Sequence, residues 1–320
     1  MSRFVIAIKP KTAFATPLVG DTLFGQACWA IRYSLGVSKL TELLEDYTNA
    51  KPFMVLSDAQ PQGYLKRPCV PVIKLGMEAD GIQKKKDFKA KQWLPEEISS
   101  KPLDQWAGSA LTETEMMAEK GLEGLLRREY NQTHNSLNRK TGTTGSSSGF
   151  APFNRHVFWY HPEMILTIQI ELDESRFTQD EVHAIFSQIG LEGFGKEASC
   201  GLGKFEVLSI LNGEPSSPPQ AKSWLTLAPC APQHLSWNAE ECYYQVFTRF
   251  GRHGGQAVHK TGGPFKKPVL MADSFAVLTP EAFDPASGWV GQGLSNISMT
   301  IPETVHQGYA PVIPVQLGGK

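Results

Sequence analysis

The chain is 320 residues long, 41% hydrophobic and 20% charged, with 31 Lys and Arg against 32 Asp and Glu and a net charge of -1. That length suits two domains, each able to bury its own core, and the near-neutral balance excludes nucleic-acid binding through overall charge alone. The five cysteines, Cys28, Cys69, Cys200, Cys230 and Cys242, form no C-x-x-C pair, which argues against a zinc site or a disulfide framework; with no cleavage signature and no long apolar run, a soluble, unprocessed cytoplasmic protein is expected.

Phe4, Ile6 and Ile8 alternate with smaller or polar neighbours and predict an opening strand that turns polar at Lys9 and Lys11. A helix follows, with Asp21 as its N-cap, Phe24, Ala27, Cys28, Ile31 and Leu35 as its apolar stripe and Gly36 at its end. The loop before it, T-P-L-V-G-D-T, offers helix N–H groups to an anion such as phosphate or, as at most helix N-termini, to water. A short helix over 40–46 and a strand over 52–56 come next. From Gln60 to Gly149 regularity fades, which predicts an insertion with a function or a mobile arm. There Lys84, Lys85, Lys86, Lys89 and Lys91 are interleaved with Tyr64, Phe88 and Trp93. This pattern reads either as a solvated face or as a stacking and phosphate surface for single-stranded nucleic acid. From Tyr130 to Pro162 there is no acid, while His134, Arg139, Lys140, Arg155, His156 and His161 make the segment basic.

Met164, Leu166, Ile168, Ile170 and Leu172 alternate as a strand, and a helix follows whose capping box is Thr178 with Glu181. It buries Val182, Ile185, Phe186 and Ile189, and Gly190 is its expected left-handed stop. Five glycines then crowd the stretch 190–203 before a strand at Phe205 to Ile210. A dinucleotide fingerprint needs the glycines to open a helix, and a P-loop needs Gly-Lys followed by Ser or Thr; neither holds here. Two readings remain. The loop brings backbone N–H groups, with Lys196, Ser199 and Lys204 beside them, up to a phosphate backbone, or it simply packs closely on the sheet. With the insertion set aside, the series is the β-α-β-β-α-β ferredoxin-like arrangement, which RNA-recognition modules share. Residues 213–221 read as a linker. Beyond it, strands are expected over 225–228, 243–250, 269–271, 275–278 and 310–315. From Tyr243 to Ala272 there is again no acid, but Arg249, Arg252, His253, Lys260, Lys266 and Lys267 fall there among glycines, a second basic surface. The expected class is α+β, with domains over 1–212, holding the insertion at about 60–150 and the glycine loop at 190–203, and over 222–320.

Five segments, taken together and in order, carry a family resemblance: T-P-L-V-G-D-T-L-F-G-Q-A-C-W-A (16–30), H-N-S-L-N-R-K-T-G-T (134–143), G-F-G-K-E-A-S-C-G-L-G-K-F (193–205), F-K-K-P-V-L-M (265–271) and H-Q-G-Y-A-P-V-I-P-V (306–315). They resemble the fourth Csm-type subunit of type III-A CRISPR complexes, in the Cas-five group of the RAMP superfamily. The resemblance implies two ferredoxin-like, RRM-like domains, the second degenerate, with a thumb-like insertion in the first. It implies a subunit that grips the 5′ repeat-derived handle of crRNA, and the want of catalytic or metal-binding constellations predicts that it is non-catalytic, without cofactor or metal. Its implied partners are the large polymerase-like subunit and the adjacent RAMP backbone subunit. The RNA contacts it implies are Thr16, Pro17, Gly20, Asp21, Thr22 and Phe24; Asn138, Arg139, Lys140, Thr141, Gly142 and Thr143; Lys196, Ser199, Cys200, Gly201, Leu202, Gly203 and Lys204; and Arg249, Arg252, His253, Lys260, Lys266 and Lys267. Lys84, Lys85, Lys86 and Lys89 correspond to the thumb by position. Cys200 stands where a small hydroxyl residue is common in the family.

Two other functions fit parts of the same sequence. A metal-independent RAMP endoribonuclease processing precursor crRNA would use a histidine near a cation as general base, and His134, His253 and His259 are so placed. A structural scaffold would use the basic surfaces for a protein partner and touch no RNA. No Ser/His/Asp, paired-carboxylate or metal-ligand spacing stands out.

Overall fold

A computed structural model describes residues 1–77, 82–144, 151–211, 213, 218–233, 235–254 and 261–318, without the side chains of residues 82–85. Lys260, His259 and residues 214–217 of the expected 213–221 linker therefore lie outside the described residues, as do the side chains of Lys84 and Lys85.

The chain opens with β1 (Ser2–Pro10), α1 (Gly20–Ser34), α2 (Gly36–Leu44) and β2 (Met54–Leu56). Then come β3 (Gln60–Pro61), β4 (Tyr64–Lys66), α3 (Ile82–Ala90), β5 (Trp93–Pro95) and α4 (Glu113–Glu119). A two-stranded ribbon of β6 (Arg127–His134) and β7 (Phe153–Tyr160) leads to β8 (Leu166–Leu172), α5 (Gln179–Glu192) and β9 (Phe205–Leu211). The remainder is strand: β10 (Ser223–Thr226), β11 (Val246–Arg249), β12 (Val269–Ala272), β13 (Val277–Leu278), β14 (Trp289–Leu294) and β15 (His306–Val315).

The first sheet runs β2-β8-β1-β9, with β3 also on β8, and every pair is antiparallel. Its order follows from the apolar alternation. Phe4, Ile6 and Ile8 on β1 and Ile168 and Ile170 on β8 are buried in one core with Leu23, Phe24, Ala27 and Ile31 of α1 and Val182, Ile185, Phe186 and Ile189 of α5. Each such side chain, fully removed from water, contributes about 1.5–3 kcal/mol. The second sheet, β13-β10-β15-β14, is likewise antiparallel. Among the described residues after α5 there is no α-helix.

The segment from Gln60 to about Leu111 is not a structureless arm. Leu65, Leu75, Phe88, Leu94, Ile98, Leu103 and Trp106 form a core with Leu225, Leu227, Phe275, Val277, Ile313 and Val315 of the second sheet. The apolar positions of this stretch are carried by short 3-10 turns, a two-stranded pair and, for Phe88, the nine-residue α3. Neither a 3.6-residue nor a two-residue period builds up, so periodicity passes over them. What projects is the β6–β7 ribbon, whose first strand is exposed from Arg127 through Thr133. β14 also escapes the sequence reading, because two of its six residues are glycine.

Polar anchors tie the two sheets together. The Gln307 side chain accepts from Leu56 N–H at 3.0 Å and donates to Leu56 O at 2.8 Å, both buried. The Tyr309 hydroxyl donates to Tyr47 O at 2.6 Å. Arg3 pairs with Glu171 and donates to Gly288 O at 3.2 Å and Val312 O at 3.0 Å. No helix among the described residues is long and apolar enough to cross a membrane.

Candidate nucleic-acid interface

The capping box of α5 is present: Thr178 Oγ1 accepts from Glu181 N–H at 3.2 Å and Glu181 Oε2 accepts from Thr178 N–H at 2.8 Å. The helix, however, runs through Gly190 and caps on Gly193. Gly190 is needed for a close approach and not for a stop, since a Cβ there would lie 2.2 Å from Phe205 O. The loop beyond is stitched to residues 11–16. Gly203 N–H donates to Ala13 O at 2.7 Å and Lys11 N–H to Lys204 O at 2.8 Å. The hydroxyls of Thr12 and Thr16 accept from the N–H groups of Lys204 and Lys196, each at 2.9 Å.

Two glycines of this loop, both left-handed, sit in opposite surroundings. At Gly203 (φ 76°) a Cβ would lie 2.2 Å from Phe194 O and 2.6 Å from Phe194 N, whereas at Gly201 (φ 85°) nothing lies within 4 Å. Lys196, Ser199 and Cys200 are exposed beside Gly201, with Leu202 and Lys204 partly so. The N–H groups of Gly195, Glu197, Ala198 and Ser199 meet no acceptor among the described residues. Backbone donors left free close together in a loop can stabilise an anion. Arg155 reaches in from β7 and pairs with Glu197 at 2.8 Å. It was visible in sequence only as one cation of an acid-free run, and the ribbon fold is what brings it to the loop. The same ribbon carries the turn Asn138 to Thr143, where Gly142 N–H donates to Asn138 O at 2.8 Å and Lys140 N–H to Asn138 Oδ1 at 3.0 Å. Arg139, Lys140, Thr141, Gly142 and Thr143 are all exposed there.

The start of α1 is closed. The helix is preceded by Val19, not capped by Asp21, and its Gly20 N–H donates to Asp58 Oδ1 at 2.9 Å. An internal carboxylate thus holds the place open in sequence to a phosphate or to water. Asp21 is buried and receives two bonds from Arg249, Nε at 2.7 Å and Nη2 at 3.1 Å, while His306 Nε2 lies 3.2 Å away, close enough for an ion pair though not aligned as a hydrogen bond. Burial works to raise the Asp21 carboxyl, but His306 and Arg249 outweigh it and hold it below its ordinary value. Asp58 has no such cation. Desolvation lifts it to about 7 despite the bonds from Ser274 and Gly20. Phe24 is buried, stacked at 4.8 Å on Tyr47, and Thr22 donates to Val19 O. Of the residues expected here, Thr16 supports the glycine loop and Pro17 alone is fully exposed.

The cations of 249–267 also divide. Arg249 is committed to Asp21, and His253 is buried with Nε2 2.7 Å from Ser298 Oγ. Arg252 and Lys267 are exposed, and Arg252 lies 5.8 Å over the Phe265 ring. In the lysine-rich segment, Lys86 and Lys89 are exposed but Phe88 is buried beneath Arg67, and Tyr64 bonds Glu119 through its hydroxyl at 2.7 Å. The aromatics expected to stack on bases there pack on the protein instead. No group of three His, Cys, Asp or Glu among the described residues is arranged to hold a metal ion.

No family model matches the chain, and no curated protein matches it. Solved structures do. A chain of the Csm3–Csm4 subcomplex in the type III-A CRISPR–Cas interference complex superposes with a TM-score of 0.61 at 12% identity, covering 98% of this chain and 99% of that one. Chains of the Csm1–Csm4 cassette, solved with pppApA and with cA4, each give a TM-score of 0.59, at 15% and 14% identity, covering 99% of this chain and 100% of those. The fold is Csm4-like. Csm4 is the component these assemblies have in common, and coverage from end to end means that the long 60–149 segment and the second sheet are parts of the Csm4-like fold. The mixed α/β character with antiparallel sheets agrees with the class expected from sequence.

Proposed function

We propose that the chain is the Csm4-type RAMP subunit of a type III-A CRISPR effector complex in the cytoplasm, and that it grips the 5′ repeat-derived handle of crRNA without cleaving it. In this reading residues 1–212 and 222–320 are two ferredoxin-like domains, the second degenerate. The large polymerase-like subunit and the adjacent RAMP backbone subunit dock on them. The observation that carries the reading is the glycine loop. Its frame is bonded to residues 11–16, while Gly201, the free N–H groups and Lys196 stay open to an extended phosphate backbone. Arg139 and Lys140 on the ribbon, with Arg252 and Lys267, add exposed cations. The buried, bonded His253 makes a poor general base, while His134, stacked on Phe153 at 5.4 Å with its Nε2 unbonded, is the histidine that the cleavage assay tests.

The test is co-purification with endogenous RNA and sequencing of its 5′ ends. A shared repeat-derived 5′ sequence is expected; no RNA, or random fragments, would sink the handle role. In parallel, precursor crRNA should stay intact with and without divalent metal. Cleavage lost on His134→Ala would instead favour the endoribonuclease.

A further inference from the structure

On the far side of α1 from the core, a cavity of about 180 Å³ opens between α1, α2 and the 301–305 segment. Gly25, Trp29 and Arg32 line it from α1, and Leu40 and Leu44 from α2. The position of Lys266 is what sets this cavity apart. Its stem runs past Gly251, where a Cβ would lie 3.0 Å from Lys266 Cδ, into this mainly apolar space. The ammonium has no ion pair or hydrogen bond among the described residues. Of the acids around it, Asp21 is already held by Arg249 and His306, and Glu303 on the cavity wall makes no ion pair with it. Desolvation accordingly pushes the Lys266 amine below its ordinary value. A half-buried cation without a counter-ion is costly unless an anion completes it.

We propose that this cavity binds one nucleotide, its phosphate on Lys266 and its base against the apolar wall of Leu40, Leu44 and Ile301. The size fits: the cavity is smaller than the roughly 300–1,000 Å³ of sites for drug-sized ligands, so it admits a single base with the phosphate at the mouth. The lining also separates a nucleotide from an aliphatic acid. Both would satisfy Lys266, but only a base has edge groups for the Thr41 and Thr304 hydroxyls and for the Glu303 carboxylate, an acceptor suited to an exocyclic amine. No residue of the glycine loop lines the cavity, so a free nucleotide binds here whether or not the handle reading holds. A nucleotide splayed from an RNA strand offers the same chemistry.

The whole chain is titrated with AMP, GMP, CMP and UMP, with a single-stranded oligoribonucleotide, and with inorganic phosphate and octanoate as contrasts. Intrinsic fluorescence is the readout, and Trp29→Phe assigns the signal. A mononucleotide, or the oligonucleotide, should bind more tightly than both contrasts. Lys266→Met should weaken it about tenfold or more, as loss of a charge-assisted contact does, while Lys101→Met, at an exposed lysine away from the cavity and from the RNA surface, should not. Val37→Trp, which fills the mouth and leaves the charge in place, should abolish binding even if Lys266→Met folds poorly. Mononucleotide binding shows a free-ligand site; an effect confined to the oligonucleotide shows a splayed base. Nucleotide binding indifferent to both Lys266 and Val37, or octanoate or phosphate binding more tightly than every nucleotide, would overturn the proposal.

Discussion

The start of α1 and the 193–204 loop each combine glycine with charge. At the α1 side the donors and acceptors are matched within the chain: Gly20 N–H to Asp58, and Asp21 to Arg249 and His306. At the loop side the frame is bonded, but nothing crowds Gly201, several N–H groups meet no acceptor among the described residues, and Lys196 and Ser199 are exposed. The contrast teaches that glycines and charges in a row do not make an anion site. What makes one is the absence of an internal counter-charge, and that depends on residues more than two hundred positions away, such as Arg249 and His306.

The closed side is the more costly to disturb. Asp21→Ala strands a partly buried Arg249 and should cost about 3–5 kcal/mol in denaturant unfolding; a loss below 1 kcal/mol would mean that the ion cluster does not hold α1 to the second half. Because the Asp21 carboxyl is held below its ordinary value, its stabilisation is present at neutral pH and is lost as pH falls through that depressed value. Asp58 has the opposite sign. Its carboxyl is lifted from 3.8 to about 7, so the folded state keeps a proton that the unfolded chain has released, and stability falls as pH rises across that window. Asp58→Asn can keep an acceptor for Gly20 N–H and a partner for Ser274, and it should flatten the slope of thermal midpoint against pH; an unchanged slope would remove Asp58 as its source.

The open side is sharpened by its two glycines. Gly203→Val forces a Cβ against the Phe194 backbone and should lower stability by well over 1 kcal/mol. Gly201→Val meets only the φ penalty, about 1 kcal/mol, yet should weaken handle-RNA affinity about tenfold, roughly 1.4 kcal/mol, measured on folded protein at fixed salt. Equal affinity losses after correction for folding would erase the distinction between them. The smallest effect is expected from Lys196→Ala, which should reduce the slope of log affinity against log salt by about 0.7, one phosphate contact on a single strand; an unaltered slope would assign Lys196 to solvent.

Local pattern alone determined β1, α1, β8, α5 and β9. Their apolar side chains recur at the strand or helix period, and the Thr178–Glu181 box marks a helix start with local bonds. The same reasoning found the glycine loop and ruled out the dinucleotide and P-loop readings, because those motifs are defined by local order. It did not find the packing of Leu94, Ile98 and Trp106 under the second sheet, whose 3-10 turns carry no sustained period. Nor could it separate Gly201 from Gly203, or Arg249 from Arg252, since both members of each pair have the same local chemistry. Those distinctions were decided by tertiary structure: Phe194 folds back onto Gly203, Asp21 meets Arg249 across the fold, and the β6–β7 ribbon carries Arg155 to Glu197. The physical reason is that a period reports which face of an element leaves water, whereas whether a donor or a charge stays free depends on which distant group arrives opposite it.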